Sequence, residues 1–209
     1  MSNSARTGRP RDRAVDEAII ETTRRLILSE GYAAITVERV AREAGTTRPA
    51  VYRRYRGRGE LLLALLVERF GVDPAPDTGT LEGDLHALQL IQVQFFDDEV
   101  VRAAAPGLLG DLSNDPELGQ VFHERFIAPR RHSVAQMLRR AKARGETTGS
   151  IDPATISDLL TGPLLLHVAL PSLGTFDKRL VNATVRSALA NLSESPKSAP
   201  RGRSSVATA

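Results

Sequence analysis

Apolar residues recur along this chain at intervals of three and four, the spacing of one helix face, and no alternating run is long enough to predict a strand. Val15, Ala18, Ile19, Thr22, Leu26 and Ile27 form a stripe that predicts a helix over 15–30. Asp16 and Glu17 suit its positive dipole end, and Gly31 stops it. Val37, Val40, Ala41 and Ala44 predict a short helix with Thr36 as N-cap and Gly45 at its end. A second helix follows over 47–55, capped by Thr47, with Pro49 in its first turn and with Val51 and Tyr55 four apart on its core side. The run LLLALLVERF makes the helix over 59–71 strongly apolar, and DPAPDTG at 73–79 is a break. Helical patterns resume at 81–96, 98–112, 116–127, 129–144, 153–170 and 176–192. The fold class expected is all-α.

Two short helices joined by a tight turn, the second studded with arginine, form a helix-turn-helix, in which one helix braces and the next lies in the DNA major groove. Arg48, Tyr52, Arg53, Arg54, Arg56 and Arg58 are left to point outward or flank the second helix. Arginine neutralises phosphate, and its fork matches the groove edge of guanine, so Arg48 and Arg53 are assigned to base reading. Glu38, on the bracing helix, can pair with an arginine and orient it. The formal charge is only +3, but it is concentrated: residues 1–60 hold thirteen arginines against eight acids, whereas residues 61–209 are slightly acidic. A basic head on a near-neutral body suggests a nucleic-acid module joined to something else.

From about Arg13 to Val72 the chain resembles the TetR-type family of bacterial transcriptional repressors. The matching landmarks are Gly31-Tyr32, Thr36, Val40-Ala41, Ala44-Gly45, Val51-Tyr52, Tyr55, Arg58 and Glu60-Leu61-Leu62. Gly57-Arg58-Gly59 departs from the family pattern of a capping residue, a lysine and a helix former; two glycines there should loosen the next helix by about 1 kcal/mol each. The resemblance implies phosphate contacts for Thr36, Tyr52, Arg54 and Arg58, with Thr47, Pro49 and Ala50 completing the DNA-binding set. It also implies a small-molecule site and a dimer interface in the body, and a palindromic operator in double-stranded DNA released when ligand shifts the two heads. Four regions are expected: a flexible basic arm at 1–12, an N-terminal three-helix DNA-binding domain at 13–73, a ligand-binding and dimerisation domain at 79–192, and a disordered tail at 193–209.

The body lacks Trp and Tyr, so a cavity there must be built from Phe, Leu, Val, Ile and Met, which suits a small apolar or weakly polar effector. Phe95, Phe96, Leu112, Phe122 and Phe126 are candidates, with Met137 and Leu164; His123 and His167 are candidate polar points. The helices over 153–170 and 176–192 look apolar on two faces and are assigned to a homodimer interface, with Leu160 and Val185 near its middle. Gly162-Pro163 should bend the first of them, through packing or by making room for ligand. The four histidines show no metal-ligand spacing, and no phosphate loop or nucleophile elbow is present, so no enzyme, metal or cofactor is expected. Absent cysteine, absent membrane span and a polar N-terminus point to the cytoplasm. The alternatives are a constitutive DNA-binding regulator without effector and a helical small-molecule carrier or enzyme.

Overall fold

The computed structural model describes residues 9–147 and 152–193, and its regular elements there are all helical. The head comprises α1 (Arg9–Glu30), α2 (Val37–Glu43), α3 (Arg48–Tyr52) and α4 (Arg58–Phe70). The body comprises α5 (Leu81–Asp97), α6 (Glu99–Asn114), α7 (Pro116–Phe122), α8 (Ala128–Ala143), α9 (Pro153–Ala169) and α10 (Lys178–Ser193). α1 begins at Arg9, not at Val15, so residues 9–12 are helix rather than arm. The rest of the expected arm, with Arg6, and the tail beyond Ser193 lie outside the described residues.

Head and body share one apolar core. Ile19, Leu26, Val40, Leu62 and Leu66 from the head pack with Phe96, Val100, Ala104 and Leu108 from the body. A second core, within the body alone, joins α5, α8, α9 and α10 through Leu85, Leu88, Met137, Ile156, Leu160 and Val185. There Gln89, fully buried, donates to the Leu160 carbonyl at 3.0 Å and to the Thr184 hydroxyl at 2.9 Å. That pairing gives three helices one register.

The helix expected to break before 129 does not break. α7 runs into α8 through a wide turn, His123–Ile127, in which the Ala128 amide donates five residues back to the His123 carbonyl. Pro129 has no N–H for the Arg125 carbonyl, and the widened turn absorbs that loss. α9 likewise continues through Pro163.

Leu160 and Val185 are fully buried in the second core, so neither lies on an open dimer face. The packing explains why: α9 and α10 bury their Ile156–Leu160–Leu164–Val168 and Val181–Val185–Ala188 stripes against each other and against α5 and α8. The exposed side of α9 is a different stripe, with Gly162 open and Leu166 and Leu170 each half exposed. Beside it α10 presents Ala183, Arg186, Ser187 and Ala190, small or polar rather than apolar.

Candidate nucleic-acid interface and ligand cavity

The head builds its reading surface from caps and ion pairs. The Thr36 side chain accepts from the Arg39 amide at 3.2 Å and the Thr47 side chain from the Ala50 amide at 3.3 Å, so both expected N-caps are present. At the end of α2 the Thr46 amide donates to the Ala41 carbonyl at 2.9 Å, which closes the helix and turns the chain toward α3. α3 is shorter than expected, five residues with Arg53 as its C-cap. Val51 is buried beneath it, and Tyr52 is half exposed above.

The outward residues are not equivalent. Arg48 and Arg53 are exposed. Glu38 pairs with Arg48 at 2.7 Å, where the sequence anticipated an arginine partner without naming it, while Arg53 makes no ion pair among the described residues. Thr36, Thr47 and Pro49 also face solvent, whereas Ala50 is buried and does not. Arg54 is largely buried: it pairs with Asp16 of α1 and donates to the Ala50 carbonyl at 2.9 Å, pinning α3 to α1. Behind the surface, Arg39 joins Glu30 of α1 and Glu43 of α2, and Arg25 also reaches Glu43 at 2.7 Å. Hydrogen bonds from Arg39 and Arg25 hold the Glu43 carboxyl down at about 2.

Arg58, the first residue of α4, reaches the body. Its guanidinium lies on the Asp111 carboxylate of α6 through two hydrogen bonds, 2.6 and 2.7 Å, and 5.0 Å over the Tyr32 ring. The Tyr32 hydroxyl donates to the same carboxylate at 2.7 Å. Burial and this bond push the phenol far above its ordinary value, and Arg58 holds Asp111 below the usual carboxylate range. Arg56 pairs with Glu117 of α7.

Two glycines make the junction close. A Cβ on Gly59 would stand 2.4 Å from Leu118 of α7, and one on Gly107 would stand 2.2 Å from the Tyr32 ring. Gly59, which sequence reasoning took as a loose helix start, is a site of contact between head and body.

The shared core is hollow. A cavity of about 470 Å³ lies between α4 and the body helices. Phe95, Phe96, Leu112, Phe122, His123 and Phe126 line it, as expected. Met137, Leu164 and His167 do not. Met137 is sealed in the second core, and Leu164 is buried in the shared core without lining the cavity. His167 stands 3.2 Å from the Gly174 carbonyl near Phe176. Leu62 and Leu66 of the head line the cavity and were missed, although their neighbouring leucines marked α4 as apolar on several faces. Thr161, Gly162 and Leu165 line it too, so the glycine of the Gly-Pro step, though not Pro163, borders the cavity.

The wall also holds polar groups: Gln92, one of the polar side chains the sequence offered for a pocket, and Asp73, Arg130, Arg131 and Asp158, which it did not offer. Arg130 pairs with Asp73 at 3.2 Å, donates to the Phe126 and Gly71 carbonyls, and lies 3.5 Å over the Phe126 ring. The Gln92 side-chain carbonyl accepts from Thr161 at 3.4 Å. Burial pushes the Asp73 carboxyl up and the Arg130 guanidinium down. Arg131 pairs with Asp158 at 2.8 Å. These charges are matched within the wall. Among the described residues no cluster of metal-ligating side chains occurs, and no helix is long and apolar enough to cross a membrane.

Residues 19–65 match the family model for bacterial regulatory proteins of the tetR family. Residues 75–188, more than half of the chain, match that for the tetracyclin repressor-like C-terminal domain. The HTH-type transcriptional regulator Rv1556 of Mycobacterium tuberculosis is 31% identical over 157 residues, 74% of this chain and 76% of that protein. The HTH-type transcriptional regulator YdeS of Bacillus subtilis is 26% identical over 172 residues, 79% of this chain and 84% of that protein. The crystal structure of the TetR family transcription regulator SCO0332 superposes with a TM-score of 0.66 at 27% identity, covering 84% of this chain and 97% of that one. With its helix-turn-helix head and helical body, the chain belongs to the TetR family of DNA-binding transcription regulators, and it is not an enzyme.

Proposed function

We propose that this regulator is a ligand-responsive, homodimeric repressor acting on a palindromic operator in the cytoplasm. The observation that carries the reading is the 470 Å³ cavity, because its wall includes both body helices and α4 of the head. Occupancy there acts on the element that orients α3, and a dimer whose two heads change separation loses a fixed half-site spacing. The effector that suits the cavity is apolar or weakly polar and uncharged, since the only charges in its wall already have partners and four phenylalanines form much of the rest. The half-exposed Leu166, Leu170 and Leu173 support a symmetric interface on the outer side of α9, with α10 contributing its small residues.

Selection from random duplex DNA, followed by gel shift, tests the operator. Arg53→Ala should cost about 1–3 kcal/mol on the selected site and relax preference at one base pair per half-site, with Arg48→Ala doing the same at another. Unchanged preference in both would remove them as readers. Leu166→Asp should turn a dimer into a folded monomer in light scattering, because it places a carboxylate in the interface and leaves both cores intact. A thermal-shift screen of uncharged aromatic and aliphatic compounds tests the cavity: a compound that raises Tm and releases operator is expected, and constitutive operator binding by every complex would favour a regulator without effector.

A further inference from the structure

The α3–α4 corner offers anions more than its side chains suggest. α4 is thirteen residues long, and its N-cap Gly57 has no side chain to satisfy the first-turn amides. That end carries the positive pole of the helix, beside Arg53, Arg56 and Arg58 and directly after the reading helix. For a DNA-binding head, the anion that reaches this corner is a backbone phosphate.

Yet Arg58 is occupied. Its fork lies on Asp111, and Tyr32 supports the pair from below. The pair is not sealed: the Arg58 side chain is 42% exposed. Asp111 rides on α6 between Leu108 and Leu112, both in the cavity wall. Gly107, on the same helix, holds Tyr32 close beneath the guanidinium. One cation therefore has two possible anionic partners, one on the body and one on the nucleic acid.

We propose that Asp111 competes with DNA phosphate for Arg58, so that a body residue outside the DNA surface sets how firmly the head holds the backbone. Asp111 is a positioning residue: it touches no DNA and acts through Arg58. Any displacement of α6 toward or away from α4 alters its grip, and with it the affinity for all sequences alike, because phosphate contacts carry no sequence information. The inference rests on the reading of the head as the DNA surface but needs no operator and no effector.

A labelled mixed-sequence duplex, titrated with the full chain at several salt concentrations, provides the test. Arg58→Gln should weaken binding and flatten the log–log salt dependence by about 0.9 per head. Asp111→Asn keeps the side-chain shape and should tighten binding about two- to fivefold per head, the range of a part-exposed ion pair. In the Arg58→Gln background the same change should give no comparable gain, since the competition has lost its object. An Asp111→Asn chain that bound more weakly, or that gained equally with and without Arg58, would assign Asp111 a bracing or general electrostatic role and overturn the inference. A readout independent of folding variants is the guanidinium NMR signal of Arg58 in the wild-type chain, which should move when duplex is added and would also overturn it by staying still. A wild-type chain that bound no duplex would overturn the DNA-surface reading itself; wild-type binding with an unresponsive Asp111→Asn variant defeats this inference alone.

Discussion

The two cores of this molecule are both rich in leucine, but only the one shared with the head contains aromatic rings, and they do opposite things. The core of α5, α8, α9 and α10 is filled: Leu85, Leu88, Met137, Ile156, Leu160 and Val185 are fully or almost fully buried, and Gln89 bolts three helices together. The core shared with the head is richer in leucine and adds Tyr32, Phe96 and Phe126, yet it borders a cavity of about 470 Å³. The filled core backs the outer face of α9, where a second copy would dock. The hollow one adjoins α4 and the Asp111 junction. A close-packed region transmits force without changing shape, and a hollow one has room to change. The fold thus places its stiff half at the proposed dimer face and its compliant half next to DNA.

Substitutions that shrink side chains should separate the halves most clearly. Met137→Ala opens a void in the filled core and should cost about 2–5 kcal/mol in chemical denaturation. Leu112→Ala merely enlarges a space that already exists, and should cost about 1 kcal/mol or less, since little new cavity is created. Comparable losses at the two positions would break the distinction. Enlarging side chains gives a smaller contrast in the same direction. Ala141→Leu overpacks the filled core and should cost about 1–3 kcal/mol, whereas Ala105→Leu on the cavity wall should be close to neutral. It should also weaken whatever compound the thermal-shift screen finds.

The smallest effect is on pH. Glu43 in the head has its folded value depressed from 4.5 to about 2, so its contribution is present above 4.5 and is lost as pH falls toward 2. Asp73 at the hollow is shifted the other way by burial, up from 3.8. Its contribution is fully present below 3.8 and is lost as pH rises through the raised folded value. Melting temperatures against pH should show Glu43→Gln reducing the acid sensitivity of the chain and Asp73→Asn increasing it over the range just above 3.8. Shifts of the same sign in both variants would mean that burial does not govern Asp73.

What was legible in the chain follows from range. Thr36, Thr47 and Gly45 act on backbone atoms a few residues away, so the helix-turn-helix could be read from spacing, and so could an arginine partner for Glu38, though not that it is Arg48. Arg54 and Arg58 could not be placed that way. Both look like outward arginines in sequence, and their partners, Asp16 and Asp111, stand 38 and 53 residues away. The cavity was half legible. Four phenylalanines, Phe95, Phe96, Phe122 and Phe126, together with Leu112 and His123, were six of its lining residues, because large apolar side chains in a body without Trp or Tyr have few other uses. Met137 shares that apolar character but belongs to the other core, and Leu164 lies in the shared core without lining the cavity; helical periodicity says neither which core a stripe meets nor which of its residues border a space. The same ambiguity put Leu160 and Val185 on the dimer face. Asp73 and Arg130 carried no pocket signal, since their buried ion pair joins two segments far apart in the chain.

Regulators built from a reading head and a sensing body invite exchange of parts, with a foreign head grafted on to retarget a known sensor. This molecule sets a condition on that exchange. Gly59 belongs to the head and admits Leu118; Gly107 belongs to the body and admits Tyr32. Each half carries a notch cut for the other's protruding side chain. A donor head with an ordinary helix-forming residue at the position of Gly59 would drive its Cβ into the Leu118 side chain, which would have to move before that head could seat on this body. The workable unit of exchange includes both notches and both protrusions, and it therefore crosses the domain boundary drawn at the proline-rich break.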